Sequence, residues 1–270
     1  MDRLTNKVKE HFDFVTPYYH KLWGEHIHHG YYITGKETKK EATERLLQII
    51  SERAGIPKKA KVLDAGSGLG GTAKFLAKNK KCTTIGITIS PLQINAAYEL
   101  NKNTIPKPVF MLQDANRLSF NEKFDAIIAI EVLSHLTNRK YFFKKAADIL
   151  EKNGTISIGA WLKDADLPRR KYSKFIKPIE KGMVVNLPNI NEYIGHFNKN
   201  NLRLIYYEDA SKHVEHTWDI TLDILKNPEL WRIARKNGHA VIEFLKAFKA
   251  MKKGYASGAF RYGIIIAQKR

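Results

Sequence analysis

The sequence predicts an α/β protein, a doubly wound and mostly parallel sheet of seven strands with an α-helical cap. Three observations carry that reading. From residue 61 onward, short apolar runs alternate with helix-length amphipathic segments, the pattern of strands joined by crossover helices. The first run breaks at Asp64 into a glycine-rich turn, Ala65-Gly66-Ser67-Gly68-Leu69-Gly70-Gly71, and leads straight into a helix-compatible segment. A later run, Phe124-Asp125-Ala126-Ile127-Ile128-Ala129-Ile130, is apolar enough for the middle of a sheet covered on both faces.

The elements follow in order. Residues 1–56 read as an N-terminal helical lid segment, dense in aromatics and histidines between Phe12 and Tyr32. Thr16-Pro17 has the form of a helix start, a cap and a first-turn proline. Ala42, Leu46, Leu47, Ile50 and Ala54 recur at helical spacing, and Gly55-Ile56-Pro57 ends that helix. Residues 57–162 form the core. Strands are predicted over 61–65, 83–88, 109–113, 124–130 and 155–160, helices over 70–79, 91–101 and 141–150, and a turn at Gly154. Residues 163–200 break the rhythm and are basic, an insertion. A sixth strand is predicted over 202–207, helices over 212–253, and a last strand over 260–267 in the C-terminal piece 257–270. Residues 163–200 and 212–256 are read as cap insertions on one domain.

Composition narrows the class. The chain has 270 residues and a formal net charge of +19. A basic balance attracts nucleic acid, anionic membrane or acidic substrates, but these lysines are spread rather than blocked. Cys82 is the only cysteine, which excludes an internal disulfide and a multi-cysteine metal site and fits a reducing compartment. The N-terminus lacks the apolar stretch of a signal peptide, and no apolar run is long enough to span a bilayer. A cytoplasmic protein is expected.

The glycine turn limits the ligand. Gly66 and Gly68 let backbone approach a ligand closely, and the helix start beyond them favours a carboxylate or phosphate. A triphosphate-binding loop needs a Gly-Lys-Ser/Thr ending, and here Gly70-Gly71-Thr72 has no lysine. A dinucleotide fold wants an acid closing the second strand, where Gly86-Ile87-Thr88-Ile89-Ser90 has none. The third reading is S-adenosylmethionine, with an acid ahead of the turn whose acceptors suit an ammonium.

Asp64-Ala65-Gly66-Ser67-Gly68 resembles motif I of the class I S-adenosylmethionine-dependent methyltransferases, a Rossmann-like fold. Gln113-Asp114-Ala115-Asn116 is similar to that family's adenine loop, and Gly86-Ile87-Thr88-Ile89-Ser90-Pro91-Leu92-Gln93 to the second-strand end of a subgroup that includes cyclopropane fatty-acid synthases. Trp23 to Tyr32, Met251 to Tyr255 and Gly258 to Ala267 resemble the flanks of gamma-tocopherol methyltransferase-like small-molecule C- and N-methyltransferases. The resemblance implies S-adenosyl-L-methionine as cofactor, S-adenosyl-L-homocysteine as product, and cofactor contacts at Asp64, Gly66, Gly68, Thr88, Ile89, Gln93, Asp114, Ala115 and Ile130. It implies a small, hydrophobic or amphiphilic metabolite as substrate, such as a prenylated phenol or alkaloid-like amine in natural-product biosynthesis, methylated at carbon or nitrogen in preference to oxygen. The family often has Glu-Ser-x-Glu-His after the fourth strand. Here it is Glu131-Val132-Leu133-Ser134-His135, which removes one acid and keeps the histidine.

His135 is the expected catalytic base, because imidazole titrates near neutrality and the fourth strand ends at the methyl site. Phosphoethanolamine methyltransferases carry a catalytic histidine at the matching position. Tyr19, Trp23, His29, Tyr31 and Glu131 are expected to shape the substrate pocket and lid. No metal is expected, since His26, His28 and His29 make no i, i+4 helical pair. The apolar stripe Val241, Phe244, Leu245, Phe248, Met251 with flanking lysines suggests peripheral contact with an anionic membrane. Specific nucleic-acid chemistry is disfavoured. Ile130-Glu131-Val132-Leu133 is not an amino-adenine motif, and one cysteine cannot run two-cysteine cytosine chemistry. The competing readings are an RNA or DNA methyltransferase and a non-catalytic cofactor-binding module.

Overall fold

In the computed structural model, β1 (Lys61–Ala65) lies in the middle of one sheet, between β2 (Thr83–Thr88) and β4 (Phe124–Ile130), parallel to both. The structure describes residues 2–224, 226, 228, 231, 232 and 239–270, with residues 18–23, 224, 239 and 240 described in their backbone only. β3 (Val109–Leu112) pairs parallel with β2, and β5 (Leu150–Lys163) parallel with β4. β7 (Phe260–Lys269) runs antiparallel between β5 and β6 (Leu202–Asp209). The order is β3-β2-β1-β4-β5-β7-β6. It is the expected seven-stranded, mostly parallel sheet. Strand order reverses between β1 and β4, so the loops leaving their carboxyl ends diverge and open a crevice.

Helices cover both faces. On one face lie α2 (Lys39–Arg53), α3 (Gly71–Lys80) and the long C-terminal helix described below, meeting at Leu46, Ile50, Leu76, Phe248 and Met251. A capping box, Thr38 with Glu41, starts α2. On the other face lie α5 (Arg139–Ile149) and a helix over Ile190–Asn198, joined through Phe142, Phe143, Tyr193 and Phe197. Ser90 caps α4 (Pro91–Leu100) as its sequence predicts.

Four local expectations change. The helix start at Thr16-Pro17 is absent, because α1 (Arg3–Trp23) runs through Pro17. Thr16 Oγ1 donates to the Phe12 carbonyl at 2.6 Å, one side-chain bond beside the position where proline has no N–H to offer. Gly154 is no simple turn. Phe124 pairs with Leu150 and Ala126 with Thr155, so the intervening residues bulge out of a strand that begins earlier. The insertion after β5 is shorter than 163–200. It contains α6 (Arg169–Lys171), a π-helical turn (Tyr172–Ile176) and α7 (Lys177–Met183), whereas α8 (Ile190–Asn198) packs on the sheet.

The fourth change concerns the membrane. After β6 come α9 (Ser211–Val214), α10 (Thr217–Ile224) and α11 (His239–Ala256). The stripe Phe244, Leu245, Phe248 and Met251 of α11 is buried in the core, so it presents no apolar face to a bilayer. Lys246 pairs with Glu243, and Lys252 with Asp219. Leu225, which the sequence groups with Trp218, Ile220 and Leu222 as one apolar helical face, lies outside the described residues. Among the described residues, no helix is long and apolar enough to cross a membrane.

Candidate active site

The glycine turn is shaped by three left-handed residues. Gly66, Gly68 and Gly70 have φ of +81°, +51° and +80°, a region that side chains disfavour. The Gly66 and Ser67 N–H groups both donate to the Ile87 carbonyl at 2.9 Å, which ties the turn to β2. A Cβ at Gly66 would lie 2.5 Å from Val132 Cγ2, so the turn also needs glycine for its approach to the loop after β4.

Asp64, at the end of β1, is 2% exposed, and its Oδ2 has no hydrogen-bond partner. Burial pushes its carboxyl up to about 7. Ser67 Oγ is likewise buried and unpartnered. Unsatisfied buried polar atoms are costly, and two beside a glycine cradle fit a polar ligand such as an amino-acid group.

The next two loops carry prepared polar groups. At the end of β2, Thr88 Oγ1 donates to Gln93 Oε1 at 2.6 Å, and both side chains are buried. After β3, Asp114 Oδ1 accepts from the Asn116 main-chain N–H at 2.8 Å and from Asn116 Nδ2 at 3.0 Å, which caps the short turn beginning at Ala115. α1 closes over both loops. Asp13 accepts from Ser90 Oγ at 2.5 Å, and Asp2 accepts from Thr137 Oγ1 at 2.9 Å, next to Asn116.

At the end of β4 the chain makes a buried polar knot. Glu131 has φ of +56°, a strained value for a non-glycine residue. Its Oε1 accepts from the His29 main-chain N–H at 2.8 Å, from His29 Nδ1 at 3.0 Å and from the Tyr262 hydroxyl at 3.1 Å. Burial pushes the Glu131 carboxyl up, and the hydrogen bonds that His29 donates from its ring and its main chain outweigh it, so the group stays below its usual range. On the far side of the ring, Trp218 Nε1 donates to His29 Nε2 at 2.8 Å. That bond requires a lone pair on Nε2 and sets the tautomer with the proton on Nδ1. Trp161 Nε1, 3.3 Å from Nδ1, is then a close contact and not a donor to it.

His135 follows on the loop after β4, 7% exposed. Its Nδ1 lies 3.2 Å from the Val184 carbonyl, which can only accept, so Nδ1 carries the proton. Nε2 is left as the basic nitrogen. Val184 itself has φ of +54°, an outlier for a β-branched residue. Burial pulls His135 down to about 4, against the Val184 bond and the nearby Glu131, which raise it. The ring sits edge-on to Phe12 at 5.1 Å and 6.2 Å from Trp161.

One cavity is lined by Asp64, Gly66, Gly68, Thr88, Ile89, Gln93, Asp114, Ala115, Ile130, His29, Glu131 and His135. Twelve expected site residues therefore meet in one place. Tyr31 does not join them. Its hydroxyl donates to Glu208 at 2.9 Å and its ring stacks on His213 at 4.2 Å, on the outer side of the sheet edge. The side chains of Tyr19 and Trp23 lie outside the described residues. The cavity also takes Thr5, Val8, His11 and Phe12 from α1, and His26, His28, Trp161, Met183 and Trp218. Phe12 belongs to the aromatic stretch expected to form a lid, whereas Thr5, Val8 and His11 carry no signal of their own in a sequence whose helix start reads at Thr16-Pro17. Among the described residues, no three metal-ligating side chains come together.

A family model, mycolic acid cyclopropane synthetase, matches residues 1–264. The chain is 25% identical to the chloroplastic tocopherol O-methyltransferase of Arabidopsis thaliana, over 99% of this chain and 83% of the relative. It is 28% identical to 27-O-demethylrifamycin SV methyltransferase of Amycolatopsis mediterranei, over 79% of each. The structure of mycolic acid cyclopropane synthase CmaA1 complexed with SAH and CTAB superposes with a TM-score of 0.88 at 18% identity, over 100% of this chain and 99% of that one. The glycine cradle, the unpartnered Asp64 and these likenesses agree: the chain is an S-adenosylmethionine-dependent methyltransferase of small molecules, and it belongs to the mycolic acid cyclopropane synthetase family.

Proposed function

We propose that the enzyme methylates a carbon or nitrogen of a hydrophobic or amphiphilic metabolite, such as a prenylated phenol or an alkaloid-like amine. The observation that carries this reading is the aromatic wall of the cavity. Phe12, His135, Trp161, His29 and Trp218 follow one another with ring centroids 5.1, 6.2, 5.9 and 5.2 Å apart. Leu136 and Met183 add apolar surface. Such a wall takes an apolar body by burial and an amine by its ring faces.

The cofactor, when bound, supplies an electrophilic methyl group on sulfur. In this reading Asp64 receives its ammonium, Gly66 and Gly68 its amino-acid backbone, Thr88, Gln93 and the Ile89 main chain its ribose, and Asp114 with the Ala115 main chain its adenine. Ile130 walls the methyl site. The protein's work is alignment and exclusion of water. His135 offers Nε2 to a proton that the acceptor must lose. Glu131 and His29 hold the segment 25–32 against β4 and α10 and so keep the wall in register. Relatives named for tocopherol and for 2-methyl-6-phytyl-1,4-hydroquinone methylation support a prenylated aromatic substrate.

The test is incubation with label-bearing cofactor and a metabolite extract, followed by mass spectrometry of the labelled product. A methylated prenyl-aromatic or amine is the expected result. Label appearing in RNA or DNA, with a salt-sensitive gel shift, overturns it in favour of a nucleic-acid methyltransferase.

A further inference from the structure

β3 stands at one end of the sheet, with no strand beyond it. Its register with β2 sets Val109 and Met111 on one face, beside Ile85 and Ile87, and Phe110 and Leu112 on the other. Of the four strand residues only Phe110 is buried. Val109, Met111 and Leu112 are exposed, as are Leu92 and Tyr98 of α4 and Ile105 in the loop ahead of the strand. Ile105 is 78% and Leu112 60% exposed. These six are the majority of the ten exposed large apolar side chains among the described residues. Apolar residues scattered singly over a surface need no explanation, whereas six gathered around one strand mark a contact surface. The α11 stripe lies in the core, and the apolar surface of the protein is here instead.

Three observations select what covers it. The edge is closed to an added strand, because the Tyr98 hydroxyl takes both main-chain groups of Phe110. It donates to the Phe110 carbonyl at 3.0 Å and accepts from the Phe110 N–H at 3.1 Å. The patch is also small for a protein partner, since a stable interface uses about 20–30 residues a side. The charge, finally, opposes a second copy and suits an anionic surface, because the chain carries a net +19. Between residues 92 and 112 the only acid is Glu99, with Lys102 3.9 Å away. The exposed Lys107, and Arg117 past the strand, add further positive charge. Lys102 and Lys107 bracket Ile105 in the chain. Their long stems let the ammonium groups stay at the level of lipid headgroups while Ile105 goes deeper.

We propose that the β3 edge docks on an anionic phospholipid membrane, with Ile105, Val109, Met111 and Leu112 entering the headgroup region and Lys102, Lys107 and Arg117 meeting lipid phosphates. The strand meets the bilayer edge-on, so the exposed side chains of both its faces reach the lipid. β3 runs directly into Gln113-Asp114-Ala115-Asn116, a loop that lines the cavity. Docking sets that loop beside the lipid surface, where apolar metabolites partition. The inference rests on the surface alone and stands whatever acceptor the cavity takes.

The experiment is co-sedimentation of the full chain with vesicles of phosphatidylcholine alone, and of phosphatidylcholine and phosphatidylglycerol in about equal parts. The protein is expected to bind the mixed vesicles at least about tenfold more tightly than the neutral ones. A chain of net charge +19 is drawn to an anionic surface by charge alone, so the deciding variant keeps every charge. Ile105→Gln combined with Val109→Thr should weaken binding to mixed vesicles by about tenfold. Its S-adenosylhomocysteine affinity should stay within about twofold of wild type, which reports that it folds. Lys107→Glu should weaken binding to mixed vesicles by at least about fivefold and leave the neutral ones unchanged. Should the double variant not fold, Ile105→Gln alone, at a loop position, carries the same test with a loss of about fivefold. Variants without the Ile105 side chain that bind as tightly as wild type, or a wild type that does not bind mixed vesicles, overturn the proposal. So does a dimer in sedimentation equilibrium that these variants dissolve, which assigns the patch to a second copy.

Discussion

The main-chain N–H of His29 and its ring Nδ1–H both donate to one oxygen of Glu131, at 2.8 and 3.0 Å. The two residues lie far apart in the chain, and the pair fastens the N-terminal segment to the end of β4. Replacing Glu131 with Ala leaves those donors and the Tyr262 hydroxyl without their acceptor. The expected cost is about 2–3 kcal/mol, read from urea unfolding. Glu131→Gly should cost about 1 kcal/mol less than the alanine change, because glycine accepts the left-handed backbone. Equal stabilities of the two variants would show that the φ of +56° carries no strain.

His135 gives a kinetic prediction. Burial holds it at about 4, so a base role predicts kcat/KM that falls as pH drops through that value and is flat above it. His135→Ala should lower kcat by about 10²–10⁴-fold if the acceptor must lose a proton in the transition state. Retained turnover with an unchanged pH profile removes the residue from the chemistry.

Asp64 ties stability to function. Its folded-state carboxyl lies at about 7, above its unfolded value of 3.8. Between those values the folded state holds a proton that the unfolded state has lost, so stability falls as pH rises through the window. By pH 8 the penalty is roughly 4 kcal/mol, at about 1.36 kcal/mol per pH unit. Asp64→Asn should therefore raise the melting temperature of the cofactor-free protein at pH 8 and leave it unchanged near pH 4. The same change should weaken S-adenosylhomocysteine. A variant less stable than wild type at pH 8 would contradict this account.

The lid helix makes a rate prediction. Asp13 holds Ser90, the N-cap of the helix that carries Gln93. Asp13→Asn should speed dissociation of S-adenosylhomocysteine several-fold in stopped-flow fluorescence, at the loss of about 1 kcal/mol of charge-assisted bonding. An unchanged rate would mean that α1 does not govern cofactor exchange.

Much of this site is legible in the sequence because it lies on backbone that only certain residues permit. Gly66 and Gly68 announce the turn and Ser90-Pro91 the helix behind Thr88, whereas Asp114 is reached only through the resemblance of its loop to the family's. The turn and the helix start are local signals, readable within a few residues. Tyr31 stands apart from the cavity lining because its hydroxyl bonds to Glu208 across 177 residues, a pairing that its aromatic neighbours in the sequence do not announce. Trp218 belongs to an apolar helical face that the sequence already sets against a substrate cavity, whereas Trp161 and Tyr262 carry no such signal, since nothing local distinguishes a core aromatic from one that reaches the site. The start of α1 was lost to Pro17, whose local preference is overruled by packing of the whole helix on the cavity.

The strand in the slot between β5 and β6 is the last one in the chain. Its Tyr262 reaches Glu131, and Tyr255 just before it reaches His29 at 3.3 Å. A growing polypeptide therefore emerges with the aromatic wall of its cavity already made, while the two tyrosines that bond to Glu131 and His29 are still missing. A nascent chain caught before residue 255 would carry the residues of both cradle and wall without the two hydroxyls that tie down the Glu131–His29 pair.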